Sequence, residues 1–193
     1  MTIVPKPTKE QIEIYLKKWE SLDNYQLQEK ALDMLFHNLC PENRRIEDIL
    51  LKCATLNDFY STNIFSIYPV AKHIAELNID DRLVAGDLSL VKDIQNVSIG
   101  GKEKHFYSFA TKYCSHHNDK AYPICDSYVK KVLKHFRKVD GFVRFKNQDL
   151  EDYQFFYTIL ESFREFYHLE VYSLKVIDKY LWLLGKEYFP NKY

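Results

Sequence analysis

Glycine and proline are scarce: the 193 residues contain 5 Gly and 6 Pro, about half of the roughly 12% that average usage gives. All-β folds spend both at many tight turns, so the shortage points to helices. Cysteine is limited to Cys40, Cys53, Cys114 and Cys125, with no C-x-x-C pair. This pattern excludes a disulfide framework and a four-cysteine iron–sulfur run. No apolar run approaches the roughly 20 residues of a bilayer span, and the N-terminus has no signal-peptide pattern. A soluble, cytoplasmic chain that does not engage a membrane is expected. Net charge is absent too, with 27 basic and 27 acidic residues, so the total charge draws the chain to no nucleic acid.

What is present is a globular composition, 46% hydrophobic and 28% charged, with 15 Tyr and 13 Phe. The length suffices to bury a core without metal or disulfide staples. The charge is unevenly spread: residues 1–99 carry a net of −4 and residues 100–193 a net of +4. Between 128 and 146 lie Lys130, Lys131, Lys134, Arg137, Lys138, Arg144 and Lys146 against the single acid Asp140.

Hydrophobic spacing near 3.6 runs along almost the whole chain. Thr8 caps an expected helix through about Ser21 on the stripe Ile12, Tyr15, Leu16 and Trp19. A second starts at Asp23 on the stripe Leu27, Ala31, Met34, Leu35 and Leu39 and ends at Pro41. Further helices are expected over about 45–56, 60–77 (with Pro69 delaying its start or kinking it), 88–95, 102–117, 127–138, 150–167 and 171–185. The spacing predicts an all-α, multi-helix globular fold of about eight to ten helices. It is a single unit over 1–193 that can divide into two subdomains, about 1–60 with 139–193, and about 61–138.

The most unusual passage runs from Ile99 to Leu133. Asn96-Val97-Ser98-Ile99-Gly100-Gly101 is a turn by composition, and the paired glycines permit backbone conformations that other residues adopt only at a cost. Placed at the mouth of the expected helix 102–117, their N–H groups would attract phosphate. Tyr122-Pro123-Ile124-Cys125-Asp126-Ser127-Tyr128-Val129 then opens the next helix. A helix over 103–117 is about 22 Å long, and an extended loop over 118–125 reaches about 26 Å. The chain is therefore able to bring Asp126 back towards Lys102.

Glycine hairpin, helix, loop and Pro-x-x-Asp-x-x-Val-x-x-x-Leu together resemble the core of the helix-hairpin-helix DNA glycosylases, and most nearly the 8-oxoguanine branch. Ile99-Gly100-Gly101-Lys102 matches the hydrophobic-Gly-x-Lys ending of hairpins in members with lyase activity. The motif covers about 35 residues. Val97-Ser98 stand where the hairpin usually opens Pro-Gly, Tyr128 stands where the family has His, and the 24-position separation of Lys102 and Asp126 is longer than in many members. An alignment through Ala110 instead puts Ser108 at the lysine position and makes the enzyme monofunctional; Lys104 is another candidate amine.

The resemblance implies base excision on double-stranded DNA carrying a damaged base, by a monomer without cofactor or metal, nucleoid-associated in the cell. The base is flipped out of the stack. Asp126 stabilises the positive charge that develops on the sugar, and a desolvated Lys102 attacks it to form a Schiff base. Gly100, Gly101, Lys104, Lys130 and Lys134 contact phosphates. The alternative is a non-catalytic helical module that keeps the hairpin for DNA or a protein partner.

Plainer readings attach to the same residues. Asp126 is a good N-cap, Lys102 beside Glu103 and Lys104 reads as a solvated first turn, and the basic helix reads as a solvated face. Cys114, His116, His117 and Cys125 invite zinc, but adjacent histidines diverge on a helix and no second paired motif exists. His37, His73 and His105 read as ordinary helix residues, and Trp19 and Trp182 as core.

Overall fold

The structure, a computed structural model, describes residues 3–190. Met1 and Thr2 of the expected tail lie outside the described residues. Ten α-helices and one two-stranded ribbon make up the regular structure of the described residues, together with one π-helical and one 3-10 segment. The all-α expectation holds. No helix among the described residues is long and apolar enough to cross a membrane.

The chain forms two compact units, Leu27–Ile124 and Met1–Gln26 with Cys125–Tyr193. The division falls at 26/27 and 124/125 rather than near 60 and 138. Asp126 therefore joins the unit built from both ends of the chain, while the glycine hairpin belongs to the other.

In the unit made of both ends, α1 (Lys9–Glu20), α8 (Ser127–Val139), α9 (Tyr153–Phe166) and α10 (Leu174–Tyr188) form the frame. Helix α10 packs on both α1 and α8. It buries Ile177, Leu181 and Leu184 completely, each contributing about 1.5–3 kcal/mol by burial, and the Tyr180 ring with them. Side-chain caps fix where these helices begin. Thr8 accepts from the Gln11 N–H, Asp152 from the Gln154 and Phe155 N–H groups, and Ser173 from the Val176 N–H. Trp19, Tyr25 and Trp182 cluster edge to face and stacked, with centroids 5.0–6.1 Å apart. The Lys186 ammonium lies 4.5 Å from the Trp182 centroid and 4.7 Å from that of Tyr25. Both tryptophans are half-buried, not fully in the core as their stripes suggest. The irregular stretch 139–149 places Phe142 against Phe163 and Tyr167.

The other unit contains α3 (Ile46–Tyr60), α4 (Ile67–Leu77), α5 (Asp80–Ala85), α6 (Leu90–Gln95) and α7 (Tyr107–His117). Helix α3 packs on α4 and α7, and α6 on α7. The core comprises Ile49, Cys53 and Leu56 of α3, Val70, Ala71 and Ile74 of α4, and Phe109, Ala110 and Tyr113 of α7. Pro69 falls in the first turn of α4, where its missing N–H costs no helical bond; the helix starts late, as the proline allows. The loop after α7 is pinned by Asn118, whose amide donates to the Leu83 carbonyl at 2.9 Å, and by Tyr122, whose hydroxyl donates to the Arg82 carbonyl at 3.0 Å.

Two elements depart from the periodicity. Helix α2 (Asp23–Asp33), which carries the chain from one unit to the other, continues as a π-helix over Met34–Leu39. The wider turn shifts the helical phase. Leu32 and Phe36 are buried, whereas Leu27, Met34 and Leu39 of the expected stripe are exposed. The second departure is the helix expected from 102. Residues Asn96–Ile99 (β1) and Lys102–His105 (β2) pair antiparallel, with Ile99 opposite Lys102, and α7 starts only at Tyr107.

Candidate functional site

Gly100 and Gly101 form the two-residue turn of this ribbon, with φ of +57° and +76°. Two successive left-handed residues make a type I′ turn, whose twist matches that of the flanking strands. The glycines therefore do not stand at the mouth of a helix, and four residues of strand separate them from α7. Their N–H groups are not part of a helix N-terminus, which removes the physical basis for the phosphate site expected there. Both glycines and all of Lys102, Glu103, Lys104 and His105 are exposed. Lys102 sits in solvent on the ribbon, not in the desolvated setting that a nucleophilic amine requires. Ser108, the other position for the lysine, lies in the first turn of α7, where its hydroxyl receives a hydrogen bond of 2.5 Å from Lys112 Nζ.

Asp126 caps α8. Its Oδ1 accepts from the Tyr128 N–H at 2.9 Å and from the Val129 N–H at 3.0 Å. One oxygen takes both capping bonds, and the second is bonded to nothing among the described residues. The side chain is half-buried. Tyr128, at the position of the expected histidine, lies beneath the Lys131 ammonium at 5.3 Å. Pro123 and Cys125 are buried, and the Cys125 thiol faces the Leu150 carbonyl.

The basic face of α8 is largely engaged within its own unit. Lys130 pairs with Glu151 at 2.5 Å, Lys131 donates to the Phe189 carbonyl, and Arg137 donates to the Phe145 carbonyl and Asn147. Lys134 is half-buried. Among the described residues no cluster of His, Cys, Asp and Glu could hold a metal ion, and the four cysteines are free thiols.

A polar cluster that the sequence reading did not single out lies inside the unit Leu27–Ile124. Lys52 is fully buried on α3. Its ammonium donates to the Glu42 carbonyl at 2.9 Å and to Asn43 Oδ1 at 2.6 Å, and it lies 3.3 Å from His117 Nε2. Asn43 Oδ1 also accepts from the Tyr113 hydroxyl at 2.5 Å. The Asn43 amide donates to Asp80 Oδ1 at 2.7 Å and lies 3.2 Å from His117 Nε2. The Asn43 backbone N–H is shared by both Asp80 oxygens at 3.1 Å. Burial pushes the Lys52 amine down to about 8, although Asp80 nearby favours the charged form. Burial, and then the Lys52 charge, hold His117 well below the usual imidazole range; burial also holds the Tyr113 hydroxyl well above the usual phenol range. His117 is therefore neutral, and Nε2, facing two donors, is the acceptor nitrogen. The available signal in the sequence was helical phase: Ile49, Lys52, Cys53 and Leu56 share one face of α3, so a lysine sits on an apolar stripe.

The chain belongs to the HI_0787_N family, an N-terminal domain family that matches residues 11–121, more than half of its length. An uncharacterized protein of Haemophilus influenzae is 54% identical over 147 residues, which span 76% of this chain and 70% of that protein. No solved structure matches. The family match contains Asn43, Lys52, Asp80, His117 and the ribbon, and it stops before Asp126.

Proposed function

We propose that the chain is a DNA glycosylase of the helix-hairpin-helix kind, acting in base-excision repair, with Asp126 as the carboxylate that serves the reaction. The observation that carries this reading is the division of labour within that side chain. Oδ1 is fixed by two backbone N–H groups, and Oδ2 is left uncommitted among the described residues. A carboxylate held in this way is preorganised to face positive charge developing on a sugar as a flipped base departs. With Lys102 in solvent, the reaction is base release by water rather than Schiff-base cleavage, and Lys102 and Lys104 serve as phosphate contacts on the ribbon. The partner is duplex DNA carrying a damaged base, met by a monomer at the nucleoid.

The test is a panel of duplexes, each bearing one damaged base, with base release measured for the wild type and for Asp126→Asn. Asparagine caps as well as aspartate, so α8 and DNA binding survive while release is lost. Unchanged release in Asp126→Asn removes the carboxylate from the chemistry.

A second reading is favoured by the ribbon itself, whose exposed tip presents Lys102 and Lys104 without an enclosed amine. In that reading the chain is a non-catalytic module that binds DNA or a protein through the hairpin. Duplex binding without release of any base in the panel would support it.

A further inference from the structure

The polar cluster around Lys52 borders a cavity of about 430 Å³ lined by Phe36, Pro41, Leu83 and Val84 on its apolar side and by Asp80 and His117 on its polar side. This volume is within the roughly 300–1,000 Å³ of small-molecule sites.

His117 Nε2 faces the Asn43 amide and the Lys52 ammonium, both donors. The ring proton is therefore on Nδ1, which has no partner among the described residues. All three Lys52 hydrogens are taken, by the Glu42 carbonyl, by Asn43 Oδ1 and by His117. The buried cation thus acts through the imidazole. It polarises the ring and makes Nδ1–H a stronger donor, one that favours an oxygen acceptor.

Among the described residues the Asp80 carboxylate receives only Asn43 donors, and its two oxygens have about four lone-pair sites. It retains capacity to accept from a ligand N–H. Glu42 and Arg44, which also line the cavity, pair with each other at 3.4 Å, and the Lys52 cation is balanced by Asp80. A ligand with no net charge suits such a wall.

We infer that this cavity is a binding site for a small, net-neutral molecule that presents an oxygen acceptor to His117 and an adjacent N–H donor to Asp80, with its apolar body against Leu83 and Val84. Free amino acids and lactam heterocycles both carry that pairing. The inference is independent of the Asp126 reading.

The experiment is saturation-transfer NMR on the full chain with two probes, L-leucine and uracil. The controls are isocaproate (no N–H donor), isoamylamine (no acceptor) and pyrimidine (neither). Transfer to leucine identifies the amino-acid source, and transfer to uracil the lactam source. In each case the matching control must bind at least tenfold more weakly. Asp80→Asn lowers the affinity at least tenfold. Val84→Trp, at an exposed position that lines the cavity, blocks binding without moving the unfolding midpoint, which covers the case in which Asp80→Asn unfolds the loop. Asp126→Asn leaves the binding as it was. Absence of transfer to both probes, equal binding of the controls, or full binding by Val84→Trp each overturn the inference.

Discussion

Gly185 of α10 faces Tyr128 of α8 so closely that a Cβ on the glycine would come within 2.7 Å of Tyr128 Cβ and 2.9 Å of the Tyr128 carbonyl oxygen. Its backbone angle is ordinary for a helix, so close approach alone requires the glycine. Alanine has the better helix propensity by about 1 kcal/mol, yet it must push two helices apart. Gly185→Ala should therefore destabilise the chain by about 1–3 kcal/mol, read as a lower urea midpoint. A more stable Gly185→Ala variant would show that the crossing yields easily.

The ribbon glycines present the opposite case. Among the described residues nothing lies within 4 Å of a Cβ added at Gly100 or Gly101, so the cost is only that of a left-handed backbone. Gly101→Ala should cost about 1–2 kcal/mol locally, and Gly100→Asn much less, because Asn tolerates that conformation. Hydrogen exchange of the β1 and β2 amides measures both; the expected order is faster exchange in Gly101→Ala than in Gly100→Asn.

The cap on α8 can be separated from any chemistry. Asp126→Ala removes the acceptor for the Tyr128 and Val129 N–H groups and should lower stability by about 1 kcal/mol. Asp126→Asn should change stability by a few tenths at most. A thermal melt of the two variants distinguishes a helix-capping role from the role in base release, which both substitutions remove.

Lys52 makes stability depend on pH in a defined direction. Its folded-state value is about 8 against 10.5 for an exposed lysine. Between these values the unfolded chain holds a proton that the folded chain has released, so stability rises with pH. The buried thiols of Cys40, Cys53 and Cys114, held above the usual thiol range, pull the other way over the same pH range, so the rise is read as the difference in stability between the wild type and Lys52→Met from pH 8 to about 10. At pH 7 Lys52→Met also leaves the Glu42 carbonyl without its lysine donor, and stability should fall by about 1–3 kcal/mol. A flat difference between the two profiles over this range would mean that the amine keeps its proton.

Most of the helices were legible because their apolar residues recur at one period and their caps are short-range signals, as at Thr8 and Asp126. Two kinds of information were not. The ribbon needs Val97 to pack beneath a solvated Lys102–His105 strand, and a charged run such as Lys-Glu-Lys-His is equally compatible with a helix start; Gly100-Gly101 is itself a hairpin signal, outweighed here by the expected helix. The π-helix at Met34–Leu39 changes the phase without any residue type that announces it. The Lys52 cluster joins residues 43, 52, 80, 113 and 117, a set that no local window contains. Only the lysine on the buried face of α3 hinted at it.

One unit is assembled from sequence on both sides of the other, so the ribosome delivers its halves at different times. Leu27–Ile124 is complete in the nascent chain while α8, α9 and α10 are still unmade, an interval of several seconds at ordinary synthesis rates. Throughout that interval Ile12 and Tyr15 of α1 lack the helix that covers them. A ribosome stalled just past Ile124 would expose that stripe as a chaperone-binding segment, and the stripe closes only when α10 has been made.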